Sequence, residues 1–75
     1  MKQQDQRSSL VAGANLQRLI REAGMTQEQA AEKLGFSEDR QIRRLIKNGI
    51  TKIDEIARIA DIFGVPLRDM IEPLD

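Results

Sequence analysis

Apolar positions along this 75-residue chain recur at helical spacing, and no segment alternates as a strand does. Leu16, Leu19, Ile20 and Ala23 fall on one face and predict a helix from about Leu10 to Ala23, closed by Gly24. In "TQEQAAEKLG" the apolar side is Ala30, Ala31 and Leu34, with two adjacent alanines that let another helix approach closely. Thr26 is placed to cap that second helix, Gln29 stands at the capping-box partner position, and Gly35 ends it. Ser37 is the candidate cap of a third helix that runs to Asn48-Gly49 and turns Ile42, Leu45 and Ile46 inward. Thr51 then introduces a fourth helix from Lys52 or Ile53 to Phe63, with Ile53, Ile56, Ala57, Ala60 and Phe63 as its inward stripe and Gly64 as its stop. Pro66 suits the first turn of a last short helix carrying Leu67, Met70, Ile71 and Leu74 along one side. Residues 1–9 are polar and without pattern, which predicts a flexible N-terminal arm. The pattern therefore predicts an all-α fold, five short helices around one core, over residues 10–75.

Composition narrows the possibilities. The chain has no cysteine and no histidine, so no disulfide staples it and neither a zinc site nor any other cofactor is expected. Its core must be aliphatic, because Phe36 and Phe63 are the only aromatic residues. Arg58 and Asp61 interrupt the longest apolar run, and the N-terminus lacks an apolar signal core. The expectation is a cytoplasmic protein without membrane attachment. With no cluster of groups able to act as nucleophile, acid and base, no enzymatic activity is expected either.

Charge changes the picture most. The chain balances 12 Lys and Arg against 12 Asp and Glu, but the signs are segregated. Residues 1–39 carry five basic and six acidic side chains, residues 40–53 five basic and none acidic, and residues 54–75 two basic and six acidic. At 100° per residue Arg40, Arg44 and Lys47 fall opposite Ile42, Leu45 and Ile46, with Gln41 and Arg43 flanking them. A solvated helix face normally mixes signs, since like charges four residues apart repel. A ridge of one sign points to a polyanionic partner.

The surrounding residues carry a resemblance. "MTQEQAAEKLG", a short turn, a basic helix and "NGITKIDEIARIADIFGVPLRDMI" resemble the phage lambda repressor/Cro-type helix-turn-helix family over about Leu16 to Ile71. The resemblance implies a helix-turn-helix at the second and third helices, with the third entering the major groove of double-stranded DNA. It implies that Gln27 grips a phosphate and that Asp39, Arg40 and Arg44 occupy base-reading positions, arginine being able to bond both O6 and N7 of guanine. Gln41 and Arg43 flank those positions, and Lys47, Asn48 and Lys52 lie where phosphate contacts are usual. Two spacings, Gly35 to Ile42 and Leu45 to Gly49, are each one residue longer than the family's common form. The acidic Glu38 and Asp39 also suit the positive end of the third helix, and simple capping is the preferred reading of Glu38.

A module of this size touches few bases. The resemblance therefore implies a sequence-specific transcriptional regulator, a homodimeric repressor reading a palindromic operator. Met70, Ile71 and Leu74 of the last helix are the expected dimer interface, and Leu67 is assigned to the core. Ile62 points away from its helix's stripe, to the interface or over the last helix. Lys2 and Arg7 of the arm are placed to brush DNA or to serve no function. A second reading stays open: a protein-interaction module of the same fold, such as an antitoxin or a regulator's partner, engaging a protein through the acidic residues 54–75.

Overall fold

The computed structural model describes residues 2–73, with side chains described from Ser9 onward. Among these residues the fold is five helices and no strand: α1 Lys2–Glu22, α2 Gln27–Leu34, α3 Asp39–Asn48, α4 Ile53–Phe63 and α5 Arg68–Ile71. No helix among them is long and apolar enough to cross a membrane.

α1 is the spine. It packs against α3, α4 and α5 and buries Ala12, Leu16, Leu19 and Ile20. The remaining core comes from Ala30, Ala31 and Leu34 of α2, Ile42 of α3, Ile50 of the following loop, Ile56, Ile59 and Ala60 of α4, and Met70 of α5. Every one of these side chains is aliphatic or methionine, and Phe36 and Phe63 pack at the margin.

α1 starts at Lys2, eight residues before the expected start, so residues 2–9 continue the helix instead of forming a separate arm. The physical reason is twofold. "KQQDQRSS" contains no glycine or proline, and lysine, glutamine and arginine are good helix formers, so a packed helix can extend backward through it. Ser9 is also buried, and its carbonyl accepts from the Ile50 amide at 3.0 Å, which ties this turn to the loop after α3. The side chains of Lys2 and Arg7 lie outside the described residues, as does Leu74.

Two glycines let main chain meet main chain there. Gly13 is buried inside α1, where glycine costs ~1 kcal/mol relative to alanine. A Cβ at this position would lie 2.6 Å from the Leu45 carbonyl oxygen and 3.0 Å from that of Ile46. α1 therefore lies directly on the backbone of α3. Gly49 has a φ of 97°, and a Cβ on it would lie 2.8–2.9 Å from Ser9.

The helix ends follow local chemistry, with differences from expectation. Thr26 and Gln29 form the expected capping box, with Gln29 N donating to Thr26 Oγ1 at 3.0 Å and Thr26 N to Gln29 Oε1 at 2.9 Å. The N-cap position of α3 falls on Glu38 rather than Ser37, and that of α4 on Lys52 rather than Thr51, where the Lys52 side chain makes no capping bond. α5 starts at Arg68, two residues after Pro66, following a turn in which Asp69 N donates to the Pro66 carbonyl at 2.9 Å. The inward stripe of α4 is Ile56, Ile59 and Ala60 with Phe63, not the expected Ile53 and Ala57, which are exposed. Both stripes obey helical spacing. Docking selects the one that aims Arg58 at α2, where Nη1 donates to the Leu34 carbonyl at 2.9 Å.

α5 is only one turn long, so polar bonds hold its backbone. Buried Asn15 donates from Nδ2 to the carbonyls of Met70 at 2.9 Å and Glu72 at 2.8 Å. Arg18 Nη2 reaches the Asp69 carbonyl at 3.3 Å and the Asn15 Oδ1 at 3.4 Å. This clasp sinks Met70 to 0% exposure, so Met70 belongs to the core and not to a dimer surface. Leu67, assigned to the core from sequence, is 39% exposed instead, and Ile71 is 44% exposed. Ala23, expected on the inward face of α1, is exposed beyond the last helical turn.

Two stability outcomes follow. Gly13→Ala forces α1 and α3 apart and should cost ~1–3 kcal/mol, read from urea denaturation followed by far-UV circular dichroism. Asn15→Ala leaves two carbonyls without a donor and should cost ~1–3 kcal/mol in the same measurement.

Candidate nucleic-acid interface

α2 and α3 pack on each other through Ala30, Ala31, Leu34 and Ile42, joined by residues 35–38. Gly35 reverses the chain with a φ of 82°, and the Phe36 amide donates to the Ala31 carbonyl at 2.8 Å. Arg58 closes the turn from outside. Besides its bond to Leu34, it pairs with Glu55 at 3.1 Å and lies 5.8 Å from the centre of the Phe36 ring. Its positive charge is also favourably placed at the negative, C-terminal end of the α2 dipole. α3 is thus held by α1 and α2, while α4 braces α2 and the turn that leads into α3.

On this support Ile42 is fully buried, Leu45 and Ile46 are half-buried, and Arg40, Arg43, Arg44, Lys47 and Asn48 are exposed. The ridge expected from the helical wheel therefore exists as a surface. Lys52 is exposed at the N-cap of α4, and Gln27 is half-buried at the first residue of α2. Arg44 and Lys52 flank a shallow groove between α3 and the start of α4, lined by Phe36, Leu45, Ile50 and Thr51.

The ridge is not a row of free cations. Arg40 Nη2 lies 2.9 Å from Glu38 Oε1, and Arg43 Nη1 lies 3.1 Å from Asp39 Oδ2. Both pairs are well exposed. Among the described residues no acidic group pairs with Arg44, Lys47 or Lys52. Asp39 is therefore bonded to a neighbour on its own helix. Gln41 is turned back over the helix start, its Oε1 accepting from the amides of Ser37 at 3.1 Å and Glu38 at 3.2 Å. Its carbonyl is used in capping, and its amino group is what it can offer outward.

Several residues that shape this surface do not stand out in the sequence pattern. Arg58 looks like an ordinary charge on an exposed helix face. Asn15 shares the apolar face of α1, a polar residue at core spacing, and Gly13 is an isolated glycine inside a helical pattern. Those two irregularities were the available signals. For Arg58 there was none, because its partner carbonyl belongs to another helix.

A helix-turn-helix family model matches residues 16–70, most of the chain and all of α2, α3 and α4. Neither curated proteins nor solved structures give a match. The packed helix pair, the outward basic helix and the family match agree, and the chain belongs to the Cro/CI-type helix-turn-helix family of DNA-binding regulators.

Proposed function

We propose that the protein is a dimeric repressor that reads a palindromic operator in double-stranded DNA through α3 and acts in the cytoplasm. The observation that carries this reading is the surface of α3. Arg40, Arg44 and Lys47 project from the face opposite Ile42, with Arg43 exposed at its flank, on a helix whose backbone is braced by α1. Arg40 and Arg44 stand near the exposed start and middle of the helix and are the proposed base readers, each suited to a guanine edge. Lys47, Asn48, Lys52 and Gln27 are the proposed phosphate contacts, and Arg43, paired with Asp39, flanks the base readers. Gln41 contributes its amino group from the helix start, and Asp39 keeps its place at the interface as the partner of Arg43.

A single module buries too little DNA for affinity at physiological salt, so two copies are proposed to act together. Ile71 at the end of α5 and Leu67 just before its start, both exposed, are the described residues best suited to that contact, with Leu74 beyond them in sequence. A second reading rests on the exposed acids of the last third, Asp54, Asp61 and Glu72, which suit a basic protein partner. Charge reversal at Arg40 and Arg44 separates the two. It should abolish a DNA-reading activity and leave a partner interaction through residues 54–75 intact.

Selection from a random duplex pool at near-physiological salt should enrich a palindrome with half-sites ~34 Å apart. Enrichment of a single unrepeated half-site would refute the dimer. On the enriched site, Lys47 and Lys52 of both protomers, four phosphate-facing cations in a dimer, should give a slope of log affinity against log salt of about −4. Arg44→Ala should cost ~1–3 kcal/mol and relax preference at one base position, while Gln27→Ala should weaken all sequences alike.

A further inference from the structure

The ion pairs on α3 are arranged in an unusual way for a surface meant to meet phosphates. The two acids of the helix start, Glu38 and Asp39, hold two of the four ridge cations, Arg40 and Arg43. Helix-end chemistry alone explains why acids stand at positions 38 and 39, since negative charge is favoured at a helix N-terminus. Spacing along the helix then brings each carboxylate to an arginine of the ridge, Asp39 to Arg43 four residues on and Glu38 to Arg40 two residues on, while Arg44 and Lys47 carry no such partner.

The consequence is electrostatic. Binding to random DNA is driven almost entirely by cations that replace counterions on phosphates. An arginine already neutralised by a carboxylate gains little by approaching a phosphate, because its acid then faces the same negative charge. The guanidinium still has N–H groups left to donate after one bond to a carboxylate. It can therefore hydrogen-bond a neutral acceptor such as a guanine edge without breaking its pair. Pairing thus removes the indiscriminate part of the arginine's attraction and keeps the directional part.

We propose that Glu38 and Asp39 are specificity-determining residues, internal partners of Arg40 and Arg43 that suppress binding to random DNA more than binding to the operator. This rests on the DNA-reading role proposed above. Asp39 then acts through Arg43 rather than on a base, and Glu38 does more than end a helix.

The experiment is a double-mutant cycle on the full chain. Glu38→Gln and Asp39→Asn are made alone and in Arg40→Gln and Arg43→Gln backgrounds respectively. Affinity is measured for a random-sequence duplex and for the duplex that the unaltered protein enriches, across a range of salt. Each acid substitution should tighten binding to the random duplex several-fold, about tenfold for the two together. Each should also steepen the salt slope by about 0.9 per freed charge. The enriched duplex should change less than threefold, so the ratio between the two affinities falls. In the arginine-substituted backgrounds these effects should vanish. Asp61→Asn, which removes an exposed acid of α4, should change neither affinity.

Persistence of the effect without the partner arginine would overturn the proposal, since it would mark a general change in net charge. An equal effect from Asp61→Asn would overturn it for the same reason. A lower melting temperature with an unchanged affinity ratio would leave the acids a purely helix-stabilising role. Asp39→Asn keeps the test open if Glu38→Gln fails to fold. Absence of DNA binding by the unaltered protein is a separate result, which would remove the DNA-reading role itself and this inference with it.

Discussion

Gly13 holds the geometry of the interface. Its missing side chain lets α1 rest on the carbonyls of Leu45 and Ile46, so the spine of the domain touches the backbone of α3 and not only its side chains. Helix axes that approach this closely leave little room to rock or slide, because interiors pack at crystal-like density. The same contact continues at Ser9, Gly49 and Ile50, where a main-chain hydrogen bond fixes the exit from α3. A helix that reads base edges needs its side chains held to within a fraction of an ångström. For α3, the proposed reading helix, backbone contact with the longest helix in the fold supplies that rigidity.

The other supports are polar and work at helix ends. Arg58 satisfies a carbonyl at the end of α2 while covering Phe36, and Asn15 does the same for two carbonyls around α5. Each uses one side chain from a long helix to close the backbone of a short one. This matters in a domain with five short-to-medium helices and an aliphatic core, where side-chain volume alone specifies orientation weakly. It also explains the depth of Met70, which the clasp around α5 pulls beneath α1.

The interface combines a fixed scaffold with a partly neutralised surface. Arg44 and Lys47 remain available to phosphates, whereas Arg40 and Arg43 carry carboxylates with them. The segregation of charge along the chain is therefore finer than a basic middle flanked by acidic ends. The boundary between acid and base falls at the first turn of α3, and the helix folds the two signs together there. Exposed pairs of this kind are worth little to stability, ~0–1 kcal/mol each, so their interest lies in what they do to an approaching anion.

Periodicity and local capping chemistry were enough to place five helices, the α2 capping box, the glycine stops, the aliphatic character of the core and the outward position of Arg40, Arg44 and Lys47. Each of these depends on residues within a few positions of one another, and local spacing encodes them directly. What only the tertiary structure decided were the choices between locally equivalent options. α4 had two valid apolar stripes, and its docking against α2 buried Ile59 in place of Ile53. Leu67 was the expected core residue around α5 and Met70 an expected interface residue, but Asn15, far away in the chain, holds the backbone so that Met70 goes in while Leu67 and Ile71 stay out. The backward extension of α1 to Lys2 was invisible because a polar segment has no apolar period to read, and the turn at Ser9 is held by Ile50 in the loop after α3, far along the chain. In the interface, the sequence was sufficient for which cations face outward. Only the fold assigned their partners, because a side chain's ion pair is set by which rotamers the packed helix leaves open and not by charge count.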